Sequence, residues 1–171
     1  MKKGFLIAIA VLLAFLVLYP LIRFTIYQSS VDAAPITDLE NYQNKSSAGW
    51  VSDDPYMVFP EEAVVSQANA KEYLFKQEVA LFPVLFDDDI VAYLKCEFPS
   101  QTYLEEKERL SRLCGETDET HYCLPAYAYA RGGIYYQYSL IDDESCTIYY
   151  IAFQNSSFAE KYIEKALLPT K

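Results

Sequence analysis

The chain has 171 residues, 52% of them hydrophobic and 16% aromatic, with a formal net charge of −10. All 24 acidic residues lie after Val31, whereas Lys2, Lys3 and Arg23 of the 14 basic residues lie before it, so the part after Arg23 carries 13 more acids than bases. Such a surface repels phosphate backbones, which excludes nucleic acid as a partner, and 16 Tyr with 10 Phe exclude a chain that stays unfolded.

Lys2 and Lys3 precede an uncharged run from Gly4 to Ile22, closed by Arg23. At about 1.5 Å rise per residue this run matches the hydrocarbon thickness of a bilayer. It has no polar face, unlike a helix packed on a soluble core. Residues 1–27 are therefore predicted to be a transmembrane anchor, with the membrane as partner through residues 4–22. Tyr19 and Tyr27 are placed as interfacial anchors. Two lysines before the span and one arginine after it orient the N-terminus in the cytoplasm and the C-terminal domain outside. A cleaved signal peptide is the rival, because Val31-Asp32-Ala33 offers small residues at cleavage spacing. The apolar run is long for a signal sequence, and Arg23 and Pro35 flank the site unfavourably, which favours an uncleaved anchor. With no cysteine near the end of the run, a lipoprotein anchor is excluded.

Residues 28–55 read as a polar tether, with Gln28-Ser29-Ser30, Asn41 to Ser47 and Ser52-Asp53-Asp54-Pro55 showing no sustained period. Residues 56–171 are predicted to form one extracytoplasmic domain. Pro60-Glu61-Glu62-Ala63 predicts a helix running to about Ala70, since proline suits a first turn and acids suit the positive end of the helix dipole. Lys71 to Leu81 is ambiguous between strand and continuing helix. Asp87-Asp88-Asp89 turns the chain between two apolar runs. Ile90 to Phe98 then alternates as a half-buried strand, with Ile90, Ala92, Leu94, Cys96 and Phe98 on one face.

Pro99-Ser100 ends that strand, and Thr102 with Glu105 has capping-box spacing for a helix that stops at Gly115. Glu105 with Arg109, and Glu108 with Arg112, are i,i+4 pairs in the favourable order. Tyr103, Leu110, Leu113 and Cys114 share the opposite stripe. Arg131-Gly132-Gly133 predicts a hairpin, because glycine tolerates positive φ. Tyr127 and Tyr129 alternate before it, and Ile134, Tyr136, Tyr138 and Leu140 after it. Asp142-Asp143-Glu144-Ser145 turns the chain again, Cys146 to Phe153 is the last strand, and Phe158 to Leu168 is predicted to be a short helix. The sum is an α+β fold: an N-terminal transmembrane helix and a small domain with an antiparallel β-meander and one or two packed helices, placed on one face of the sheet.

The segments "LFDDDIVAYLKCEF", "EEKERLSRL", "YCLPAYAYARGGIYYQYSLIDDESCTIYYIAFQ" and the terminal "LP" give the chain a layout similar to a group of small membrane-anchored proteins of low-GC Gram-positive bacteria with no known activity. The resemblance runs from Leu85 to Gln154 and departs from that group in the four cysteines. It implies a bacterial membrane protein and nothing of mechanism.

Cys96, Cys114, Cys123 and Cys146 are an even set in an exported domain, which suggests disulfides. Cys114 to Cys123 is the expected bridge if one forms, clasping a short polar loop; buried thiols packed as small hydrophobes are the alternative. His121 lies two residues before Cys123, but without a Cys-x-x-Cys pair zinc is not expected, and no motif surrounds a cysteine as nucleophile. Asp87-Asp88-Asp89 lacks the frame of a calcium loop and, like Asp142-Asp143-Glu144, reads as an ordinary turn. Tyr127, Tyr129, Tyr136 and Tyr138 are expected to form a cross-strand patch able to stack on a glycan or a peptide, although tyrosine also simply suits strands. The reading is a membrane-anchored, non-catalytic interaction domain for a protein or glycan ligand, with no cofactor and no metal. The alternatives are an exported hydrolase or wall-processing enzyme using carboxylates, and a thiol-redox protein.

Overall fold

The computed structural model describes residues 2–39, 58–83, 87–117, 123–128 and 136–169. The chain divides into two compact units: residues 1–34 with 77–88, and residues 35–76 with 89–171.

The first unit is built on helix α1, Lys2–Asp32, 31 residues with Pro20 inside it. From Val11 to Asp32 the helix is long and apolar enough to cross a membrane, and no residue of that stretch is buried. Apolar side chains stay outward from Val11 onward because the sequence gives the helix no polar face to turn away from a core. The helix continues through Gln28 to Asp32, beyond the predicted start of the tether, and Ala33 N–H still donates to the Ser29 carbonyl at 3.1 Å. The segment 77–83 packs in the same unit. Val79 N–H donates to Ser30 Oγ at 3.0 Å, and the Arg23 guanidinium donates to the Ala80 carbonyl.

Among the described residues the second unit holds a six-stranded sheet with strands β1 Ala70–Glu78, β2 Asp89–Glu97, β3 Gly115–Thr117, β4 Ala126–Ala128, β5 Tyr136–Asp142 and β6 Thr147–Phe153. The last two residues of β1 run into the first unit. The spatial order is β1-β2-β6-β5-β4-β3. The registers of β2 with β6, β3 with β4, β4 with β5 and β5 with β6 are all antiparallel. Asn69 N–H donates to the Glu97 carbonyl at 2.7 Å, tying the approach to β1 to the end of β2. Thus β3 to β6 form a meander that returns to pair with β2. Ile36 and Phe75 exchange both backbone hydrogen bonds at 2.8 Å, so the predicted tether already pairs with the sheet there. The rest of the tether, from residue 40, lies outside the described residues, as does the hairpin predicted at Arg131-Gly132-Gly133.

Between β2 and β3 lies helix α3, Ser100–Leu113; a single turn, α2 Glu62–Val65, precedes β1. Tyr103 and Leu110 of α3 pack with Ile90, Leu94, Ile148 and Tyr150 on one sheet face. The opposite face is closed by the C-terminal segment. Helix α4, Ser156–Ala159, and a 3₁₀ turn at Lys165–Leu167 bring Phe158, Ile163, Leu167 and Leu168 against Val91, Tyr138, Ile151 and Phe153. Both faces are therefore covered, where the sequence placed helices on one. This explains why β2 and β6 are buried on both sides, with Val91, Ala92, Ile151, Ala152 and Phe153 fully enclosed.

Several local expectations are corrected. The helix predicted from Pro60 to Ala70 ends at Val65, because the sheet edge claims Ala70 onward. Tyr73 and Phe75 share the core face of that strand, which decides the ambiguous stretch after Lys71. The capping box is not formed: Pro99 is the N-cap, Thr102 Oγ1 donates to Gln67 Oε1 at 3.1 Å, and Glu105 accepts from Gln101 Nε2 at 2.7 Å. The short helix predicted from Phe158 to Leu168 is instead one α-turn at Ser156–Ala159, capped by the Asn155 side chain accepting from Ser157 N–H at 3.0 Å, and a 3₁₀ turn at Lys165–Leu167.

Candidate functional site

The predicted tyrosine patch is not assembled as one surface. Alternation sends Tyr127 of β4 to the α3 face, where it is 4% exposed, and Tyr138 of β5 to the opposite face, where it is 1% exposed. Tyr138 donates its hydroxyl to the Leu167 carbonyl at 2.7 Å and so holds the C-terminal segment. Tyr136 is the exposed member, stacked on Phe153 with ring centroids 5.1 Å apart. Tyr129 lies outside the described residues. The physical reason is the pleat: residues on paired strands share a face only where the register puts them opposite. Tyr127 stands opposite Ser139, whereas Tyr138 stands opposite Ala128.

The sequence did not single out a second aromatic group, on β2 and β6. Tyr93 and Tyr149 are partly exposed, with rings 6.4 Å apart, and Lys95 Nζ lies 5.7 Å from the Tyr149 ring centre. The register pairs Lys95 with Tyr149 and Tyr93 with Ile151, which sets the two rings diagonally on the C-terminal-segment face. Burial pushes the Tyr93 hydroxyl well above the usual tyrosine range, helped by the nearby Glu72 carboxylate. The group presents flat, neutral aromatic surface beside one cation. It was legible in principle as Tyr93-x-Lys95 and Tyr149, but only the β2–β6 pairing joins them.

A buried polar cluster lies on α3. Glu106, with its side chain 2% exposed, accepts from Arg109 Nε at 2.7 Å and Nη2 at 2.6 Å, and from the Tyr150 hydroxyl at 2.9 Å. Arg109 Nη2 also donates to the Val58 carbonyl at 2.6 Å. The i,i+3 partner Glu106 thus displaces the predicted partner Glu105. Glu106 points to the sheet, where the Tyr150 hydroxyl and a buried carboxylate need each other. Burial pushes Tyr150 well above its ordinary value, with the Glu106 charge adding to it. Burial also raises the Cys114 thiol, against the lowering pull of Arg109. Both oxygens of Glu106 are engaged, which suits a clamp between α3 and β6 better than a proton-transfer group.

At the other end of β6, Asp143 accepts from Tyr103 Oη at 2.7 Å and from Lys107 Nζ at 2.5 Å, and these partners hold its carboxyl below the usual carboxylate range. Asp142 closes the same turn, accepting from Glu144 N–H at 3.1 Å and Ser145 Oγ at 2.7 Å. Asp88 likewise accepts from Ala80 N–H and Gln77 Nε2, each at 2.8 Å. The acidic clusters are engaged in turn closure and helix docking. Among the described residues no group of three or more His, Cys, Asp or Glu is placed to hold a metal ion, and His121 lies outside them. The expected Cys114–Cys123 bridge is not formed: Cys114 faces the core, 3% exposed, whereas Cys123 is exposed.

Comparison with known proteins returns no matching family model, no matching curated protein and no matching solved structure.

Proposed function

We propose that the chain is a single-pass membrane protein, N-terminus in the cytoplasm, whose sheet domain binds a protein or glycan partner outside the cell membrane without transforming it. The observation that carries the binding reading is the partly exposed Tyr93–Tyr149 pair beside Lys95, set on the neighbouring strands β2 and β6. Rigid rings on a stiff support lose little entropy on contact, and aromatic faces stack on sugar rings and peptide planes. The carboxylates that a hydrolase would use are instead tied into the Glu106, Asp142 and Asp143 hydrogen bonds. Support for the anchor comes from the outward apolar surface of α1. The helical state of Val31 and Asp32, with Ala33 N–H still donating to the Ser29 carbonyl, favours an uncleaved segment.

The test is a pair of measurements on purified full-length chain. Tyr149→Ala together with Tyr93→Ala should reduce retention on cell-wall glycan or surface-protein fractions, while the circular dichroism spectrum is kept. If the chain instead turned over a peptidoglycan or peptide substrate, and one acidic substitution abolished this without unfolding, the binding reading would fall in favour of the hydrolase.

A further inference from the structure

The segment that leaves β1 is more apolar than a surface loop should be, and beyond Val79, which meets Ser30 at the polar end of α1, it runs along the apolar part of the helix. Leu81 and Phe82 line an apolar groove of about 710 Å³ together with Phe15, Leu16, Tyr19 and Pro20. Those helix residues belong to the uncharged run, up to two turns below Arg23, or roughly 12 Å along the axis. Phe82 is 55% exposed, next to helix side chains exposed to a similar degree, such as Phe15 at 63%.

A non-helical backbone can enter an apolar medium only if its polar groups are paired within the protein. The pairing is made at Val79 and Ala80, where the segment joins the helix. Val79 N–H is taken by Ser30 Oγ, Ala80 N–H by Asp88 Oδ1, and the Ala80 carbonyl by the Arg23 guanidinium. Pro83 has no N–H to satisfy. Arg23, the charge that ends the apolar run, is thereby used to stitch the segment to the helix.

We infer that residues 79–83 form a second membrane contact, with Leu81 and Phe82 inserted into the outer leaflet and lipid acyl chains filling the groove against α1. The inference rests on α1 being a membrane span. The groove walls favour acyl chains over a second copy of the helix. Helix pairs in membranes close on small residues, whereas this groove is walled by phenylalanine, leucine and tyrosine.

The experiment uses full-length chain in phosphatidylcholine vesicles whose acyl chains carry bromine near the headgroup or near the chain end. The single native tryptophan, Trp50, is replaced by Phe, and one reporter is introduced at a time: Phe82→Trp for the segment or Leu13→Trp for the helix. The expected result is that the Phe82→Trp reporter loses most of its emission to the shallow bromine and little to an aqueous quencher, while the Leu13→Trp reporter is quenched by the deep bromine. If Leu13→Trp is quenched by lipid and Phe82→Trp only from water, the inference is overturned and the anchor stands. If neither reporter responds to bromolipid, the anchor itself is wrong and the inference falls with it. If the Phe82→Trp emission follows the protein-to-lipid ratio rather than bromine, a second copy fills the groove and the lipid assignment is overturned.

Discussion

Glu106 shows how one side chain can decide whether a helix docks. Its carboxylate sits between a guanidinium and a tyrosine hydroxyl, and desolvation is offset only while both donors remain. Glu106→Ala leaves Arg109 without its carboxylate and the Tyr150 hydroxyl without an acceptor. Arg109 keeps its side chain 34% exposed, so water softens the loss. The expected cost is about 2–3 kcal/mol, at the low end for a broken buried pair. Tyr150→Phe removes one hydrogen bond and should cost about 1 kcal/mol. Urea unfolding of the full chain in detergent, followed by circular dichroism, should rank the two variants in that order. Nothing in the sequence marked Glu106, because Glu105, Glu106 and Glu108 look alike as helix acids and only the docking angle of α3 selects one. A second residue-scale consequence concerns alkali. Burial raises Tyr73 to about 12 and moves Tyr150 well above its ordinary value. A raised folded pKa means stability that is fully present below the unfolded value near 10 and lost as pH rises through the folded value. Stability should therefore hold to about pH 10 and fall above it. Late tyrosinate absorbance should appear together with loss of the circular dichroism signal. Tyrosines that all ionise near pH 10 in folded protein would contradict the burial of Tyr73 and Tyr150.

At the scale of elements, the C-terminal segment is as much a part of the sheet as the strands are. Phe158, Ile163, Leu167 and Leu168 cover Val91, Ile151 and Phe153, and the Tyr138 hydroxyl fastens the Leu167 carbonyl from beneath. Tyr138→Phe keeps the ring against Phe153 but leaves that carbonyl without its hydroxyl donor. The expected loss is about 1–3 kcal/mol. Amide hydrogen exchange should show it as faster exchange at residues 163–168, with little change in β2 and β6. A uniform rise over the whole sheet would mean that the segment does not open by itself. Truncation after Gln154 removes the entire cover, so the remaining chain should fail to fold or should aggregate through the bared strand faces. Periodicity read Ile90 to Phe98 and the last strand nearly to the residue. It overextended the helices at Pro60 and Phe158, where a strand edge or a run of tertiary contacts takes the chain after one turn.

For the whole molecule, the decisive asymmetry is between an apolar, outward-facing helix and an acidic, aromatic sheet domain. Lys2 and Lys3 before the apolar run, against Arg23 alone just after it, should send the C-terminus out. A C-terminal reporter that is active only after export should therefore be active, and its cytoplasmic counterpart silent; the reverse pattern would overturn the topology. If the orientation holds, protease added to intact cells should remove the sheet domain and leave α1 protected.

Composition and periodicity were enough to read the apolar span, the central strands, α3 and the acidic turns. Each of those follows from local physics: bilayer thickness, the two-residue pleat, helix stripes and the turn chemistry of aspartate. The partners across space were not readable. Tyr127 and Tyr138 alternate in sequence as if they shared a patch, yet the β4–β5 register puts them in opposite cores. Tyr93 and Tyr149 are distant in sequence, yet the β2–β6 register joins them. Arg23, read only as the end of a span, holds the carbonyl of Ala80. Strand order and register depend on the burial of all the strands at once, so contacts of this kind are decided by the assembled sheet and not by any window of residues.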